Sequence, residues 1–175
     1  NRLANVLFAR DHGKEARSLY TTSLDLAILA GDAGLEARVR LNLVRLSSKQ
    51  ETAVRQLRKA QRAACSVSSP EGRVWLLLAV AAETRKSWTD DKGDFFAHTC
   101  LNEAFSLALH TGSKRLISLS AGRLGELYEH RGRFEEAREL TEQALTAAQG
   151  LRAHELLLQW EHQLGRIMQA RGRPE

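Results

Sequence analysis

Small and apolar residues recur at steps of four, three and four in four places: Ala16-Tyr20-Ser23-Ala27, Ala53-Leu57-Ala60-Ala64, Ala97-Leu101-Ala104-Ala108 and Ala137-Thr141-Ala144-Ala148. Steps of three and four keep residues on one face of an α-helix. Small side chains along such a face predict that another helix presses closely against it. A second message repeats between these stripes. Leu124-Gly125 is followed by Tyr128 and Gly132, and Leu164-Gly165 by Met168 and Gly172, with the two runs 40 residues apart. A Gly inside a helix costs about 1 kcal/mol relative to Ala, so Gly125 and Gly165 predict close approach of a neighbour. The closing Gly suits the left-handed residue that ends a helix. Helix-favouring sequence restarts at once in Arg133-Phe134-Glu135-Glu136-Ala137, which gives helix, tight turn, helix.

Anchoring each opening helix on Leu followed by a small residue gives Leu3-Ala4, Leu43-Val44, Leu78-Ala79, Leu124-Gly125 and Leu164-Gly165, at intervals of 40, 35, 46 and 40. The pattern predicts one domain over 1–175 built of hairpins at 1–31, 34–67, 70–111 and 113–150, with an incomplete unit at 151–175. The long third interval is assigned to an enlarged turn over Ser87 to Asp94, which is polar and carries Gly93. Composition supports the helical reading. Leu (28) and Ala (24) dominate, whereas Val (7), Ile (3) and Pro (2) are scarce. The chain opens at Asn1 and stops at Arg173-Pro174-Glu175, where a further second helix is expected, so both ends read as cut from a longer protein.

These landmarks (Leu-Gly, Tyr, Gly, Ala and Ala, clearest from Leu124 to Ala148) resemble the tetratricopeptide repeat family, and the looser repeats extend the resemblance over nearly the whole chain. The period is nearer 40 than the family's 34, and the family's Trp and terminal Pro are missing from the clearest unit. The run Gln159 to Ile167 is also similar to repeat regions of bacterial proteins that carry a CHAT protease domain. The resemblance implies an all-α, right-handed superhelical solenoid of antiparallel hairpins whose first helices line a concave groove. That groove would hold a protein or peptide partner, or regulate a neighbouring domain. Its implied partner-binding residues are Asn5, Phe8, Arg38, Asn42, Arg45, Arg73, Glu83, Glu126, Glu129, His130, His162, Arg166 and Gln169, with Val80 in the apolar middle. Asn5, Asn42 and Arg73 also match part of the carboxylate clamp by which some family members hold a peptide C-terminus. Its other two basic positions fall at Asn1 and Leu77, which leaves the clamp incomplete.

Catalytic chemistry finds no footing. There is no GxxxxGK[ST], GxSxG or HExxH motif, and the six His residues are dispersed. His154 and His162 stand eight apart on one helix, about 12 Å along its axis, too far to share a metal. Neither a catalytic residue, a metal nor a cofactor is expected. The net charge of +5 is mixed, 26 basic against 21 acidic residues. Arg55, Arg58, Lys59 and Arg62 share the helical face opposite Ala53-Leu57-Ala60-Ala64, which predicts a solvated outer surface. The basic segment 38–73 makes nucleic-acid binding an alternative, disfavoured because no stacking residues recur at matched positions. Self-association through exposed ends of the array is the other alternative. Trp75 and Trp160 are expected in the core, and Trp88 is expected to seal the enlarged turn or to anchor a partner. Cys65 and Cys100 are expected as free thiols in a reducing, cytoplasmic setting, and the longest apolar run, Val74 to Ala82, is too short to span a membrane.

Overall fold

The computed structural model describes residues 2–9, 12–151 and 153–172. Asn1 and Arg173-Pro174-Glu175 lie outside the described residues. Among these residues there are nine α-helices and no strand: α1 (Arg2–Ala9), α2 (Gly13–Leu29), α3 (Ala33–Arg45), α4 (Gln50–Cys65), α5 (Pro70–Ser87), α6 (Asp91–Thr111), α7 (Lys114–His130), α8 (Phe134–Ala148) and α9 (His154–Arg171). The chain divides into two compact units, residues 1–97 and 98–175, with the boundary inside α6.

Side-chain chemistry starts several of the helices. Asp32 accepts from the Leu35 amide at 2.8 Å, and Ser69 accepts from the Gly72 amide at 3.2 Å with Pro70 in the first turn. Both are N-caps that satisfy amides left without intrahelical partners. Asp90 accepts from the Gly93 amide at 2.9 Å in the same way, and this bond holds its carboxyl below the usual range. The α5–α6 turn is therefore short. Residues 87–94 do not form the enlarged turn expected from the sequence, because α5 runs to Ser87 and α6 begins at Asp91. The extra length of this repeat resides in helices of 18 and 21 residues.

In the first unit α1 packs on α2, α3 on α4, and α3 on α5; in the second α7 packs on α8, α8 on α9, and α7 on α9. Contact between alternate helices (α3 with α5, α7 with α9) aligns the opening helices of successive hairpins side by side. The small-residue stripes form the seams. Of their sixteen positions all but Ser23 are buried, as the spacing predicts. Trp160 is buried as expected, and Trp88 is 4 % exposed, sealing its turn. Trp75 is a correction: it is 49 % exposed, since Val74, Leu77 and Val80 take the inward positions of α5.

The two Leu-Gly runs behave differently. At Gly125 a Cβ would lie 3.0 Å from Thr141 Oγ1 and 3.1 Å from the Ala137 carbonyl, the close approach foreseen. At Gly165 a Cβ would meet nothing within 4 Å, so no neighbour explains that glycine. Likewise Gly132 has φ +70°, whereas Gly172 ends α9 with φ −80° and needs no glycine. Gly132→Ala is accordingly expected to cost about 1 kcal/mol through left-handed strain. Gly165→Ala is expected to add about 0.5–1 kcal/mol of stability. Thermal unfolding of the two variants should move in opposite directions; shifts of the same sign would contradict this assignment.

Candidate functional site

The side-by-side opening helices bring several of the implied partner-binding residues together. In the first unit Asn5 of α1, Asn42 and Arg45 of α3, and Glu83 of α5 form a ladder across three helices. The Tyr20 hydroxyl donates to Asn5 Oδ1 at 2.6 Å, and Asn42 Nδ2 donates to the same oxygen at 3.1 Å. Two converging donors fix the orientation of the Asn5 amide. Burial pushes the Tyr20 phenol above its ordinary range, with nearby Arg45 opposing more weakly, so the hydroxyl keeps the proton it donates. Arg45 donates to Glu83 Oε1 through Nε at 3.0 Å and Nη2 at 2.7 Å, and Lys86 Nζ stands 3.6 Å from the same oxygen. Glu83 is only 4 % exposed. A carboxylate this deep needs its cations, because an unpaired buried charge costs several kcal/mol.

In the second unit Arg166 of α9 grips Glu129 of α7 with two parallel bonds, Nε to Oε1 and Nη2 to Oε2, both 2.8 Å. Such forked pairing is geometrically specific as well as charge-assisted, and Glu129 holds the Arg166 guanidinium more firmly protonated. Arg166 Nη1 lies 2.8 Å from His162 Nδ1. A guanidinium can only donate, so His162 Nδ1 accepts. The partners Asn5–Asn42, Arg45–Glu83 and Glu129–Arg166 are separated by 37, 38 and 37 residues. Counted from the landmark leucines, Asn5–Asn42 and Glu129–Arg166 step back by three positions from one opening helix to the next, whereas Arg45–Glu83 steps forward by three.

Of the remaining implied residues, Glu126 adds its charge to the group around Arg166; among the described residues the others join no ladder. Phe8 is partly exposed, and His130 and Gln169 are exposed. Arg38 Nε bonds the Gly34 carbonyl of its own helix, and Arg73 Nη2 bonds the Val67 carbonyl in the α4–α5 turn. Glu126 pairs with Arg123 at 3.0 Å. Val80 is 0 % exposed, so it belongs to the core and lines no groove.

Basic residues 38–73 divide by environment. Arg55, Arg58, Lys59 and Arg62 are exposed, as expected, while Arg40 is 6 % exposed, paired with Glu36 at 2.7 Å and bonded to Gln56 at 3.1 Å.

Sequence reasoning missed the polar core that supports α9. Trp160 Nε1 donates to Ser118 Oγ at 2.9 Å, and Gln163 Nε2 reaches the Gly122 carbonyl at 3.2 Å and Thr141 Oγ1 at 2.9 Å. The only signal was spacing: Ser118 and Gly122 sit three or four residues from the landmark pair Leu124-Gly125 or from each other, on one face of α7. Among the described residues no group of His, Cys, Asp and Glu could hold a metal ion. Both cysteines are free thiols. No described helix is long and apolar enough to cross a membrane.

A tetratricopeptide repeat model matches residues 116–175. The fold of the whole chain is shared with solved structures of similar architecture. BtubC (BKLC) from P. vanneervenii is 19 % identical with a TM-score of 0.77, over 97 % of this chain and 70 % of that one. A chain of nearly identical TPR-like repeats from Podosopora anserina, assigned to the kinesin light chains, is 20 % identical with a TM-score of 0.74, over 98 % of this chain and 84 % of that one. No curated protein matches the sequence. Residues 116–175 thus carry the tetratricopeptide repeat, and the expected all-α fold of repeated antiparallel hairpins extends over the chain. Repeats of this type generally mediate protein–protein interaction.

Proposed function

We propose that this chain of tetratricopeptide-type hairpins is a non-catalytic interaction module that holds a peptide or protein partner on the face lined by its opening helices. The observation that carries this reading is the recurrent polar ladder, Asn5–Asn42–Arg45–Glu83 in one unit and Glu129–Arg166–His162 in the other. Both ladders cross from one hairpin to the next, and both keep their arginines half exposed. Side chains ordered before binding lose less conformational entropy when a partner arrives. Their remaining N–H groups can take carboxylates or backbone carbonyls of an extended segment.

Selection from a random peptide library tests the reading. Peptides enriched by the wild-type chain are expected to be lost when Arg45→Glu and Arg166→Glu are combined; equal enrichment on both proteins would contradict it. Self-association is the competing reading, motivated by the exposed apolar residues Leu3, Val6, Leu26, Ile28 and Leu29 on α1 and α2. Sedimentation velocity is expected to show a single species near 19.5 kDa at every concentration. A dimer that grows with concentration would favour the competitor.

A further inference from the structure

The outer side of α4 faces a cleft of about 510 Å³, lined by Arg58, Gln61, Arg62, Trp88, Lys92 and Phe95, with Asp91 and Phe96 completing it. All these residues belong to the first compact unit. One wall is α4, where Arg58 and Arg62 stand one turn apart. The other is the α5–α6 turn and the first turns of α6. The floor is aromatic: the rings of Trp88 and Phe96 lie 5.6 Å apart, and the Arg58 guanidinium sits 5.4 Å above Trp88. Phe95 stands at the mouth, 73 % exposed. Three cations and one carboxylate border the cleft, and Arg55 and Lys59 extend the positive surface along α4.

We infer that this outer cleft is a second docking site, taking an extended acidic peptide segment that carries one large apolar side chain. Charge complementarity selects the acidic partner. Arg58 and Arg62 are offset by about 6 Å along the helix axis. Alternate residues of an extended peptide are about 6.6 Å apart and share one side, so two carboxylates at that spacing meet both guanidinium groups. The exposed ring of Phe95 and the edge of Phe96 receive the apolar side chain, an arrangement in which one buried aromatic contact dominates binding. Single-stranded nucleic acid fits less well. Successive bases need successive stacking platforms, whereas Phe95 is the largely exposed aromatic of the cleft and Trp88 is 4 % exposed in its floor. The cleft lies on the side of α4 opposite the buried stripe Ala53-Leu57-Ala60-Ala64, separate from the ladder of the opening helices.

The probe is a short fluorescein-labelled peptide of alternating glutamates ending in leucine, followed by fluorescence anisotropy on the full chain. Saturable binding is expected. Phe95→Ala and Arg62→Glu, both at exposed positions that leave the core intact, are each expected to weaken it about tenfold. Arg55→Glu changes the net charge by the same amount outside the cleft and is expected to weaken binding less than about threefold. Absence of saturable binding to the wild-type chain overturns the proposal. So does equal loss in Arg55→Glu and Arg62→Glu, indifference to Phe95→Ala, or tighter binding of an oligothymidylate at the same salt.

Discussion

Trp160→Ala is expected to destabilise residues 98–175 by about 4 kcal/mol. The indole is fully buried, and its Nε1 donates to Ser118 Oγ at 2.9 Å with Ser118 itself 0 % exposed. Truncation opens a cavity and removes the donor from a buried hydroxyl at the same time. The indole lies where Gly122 has no side chain: a Cβ there would come within 2.5 Å of ring atom Cζ2. Gly122→Ala is therefore expected to cost about 3 kcal/mol through overpacking. The two positions are coupled. Once Trp160 is replaced by Ala, Gly122→Ala meets no ring and gains up to about 1 kcal/mol of helix propensity. Urea unfolding of the four proteins in a double-mutant cycle should show the second substitution changing sign. Additivity within about 0.5 kcal/mol, the behaviour of independent sites, would show that the contact does not set the packing of α7 on α9.

Arg45→Met is the second large effect, expected at about 2 kcal/mol in residues 1–97. Glu83 is 4 % exposed and, among the described residues, would keep Lys86 as its cation, at 3.6 Å. Breaking a fully buried pair costs about 3–5 kcal/mol. The Arg45 side chain is 47 % exposed, so solvent screening reduces that figure. Adding Glu83→Gln to Arg45→Met removes the stranded charge and is expected to restore at least half of the loss. Chemical denaturation of both variants decides it: a single variant as stable as the wild type would mean that Glu83 does not depend on Arg45.

How much of this was legible beforehand follows from what periodicity encodes. The seams were legible because a stripe such as Ala137-Thr141-Ala144-Ala148 states burial directly, and every one of those four residues is 0 % exposed. The short α5–α6 turn was not, because Ser87 to Asp94 is as polar as a loop while Asp90 caps a helix within it. Trp75 misled because an apolar run hides which of its members face inward. Among the implied partner-binding residues, Asn5, Asn42, Arg45, Glu83, Glu129, His162 and Arg166 fall into bonded groups. The pairings among them that cross between hairpins lie 37 or 38 residues apart, a distance at which local propensity carries no information. The cleft beside α4 was missed for a related reason. Its arginines and its aromatics come from segments about one hairpin apart, and the sequence shows a basic helix without its Phe95.

The measurement that bears most directly on partner binding at the opening helices is an amide NMR map. A library-selected peptide would be titrated into nitrogen-15-labelled protein carrying Phe95→Ala and Arg62→Glu, which silence the outer cleft. Perturbed amides are expected to gather around Asn42, Arg45 and Glu83, or around Glu129, His162 and Arg166, and adding Arg45→Met or Arg166→Ala should weaken the peptide about tenfold, near 1.4 kcal/mol. Perturbations confined to α2, α4 and α8, or affinity indifferent to both arginines, would contradict it.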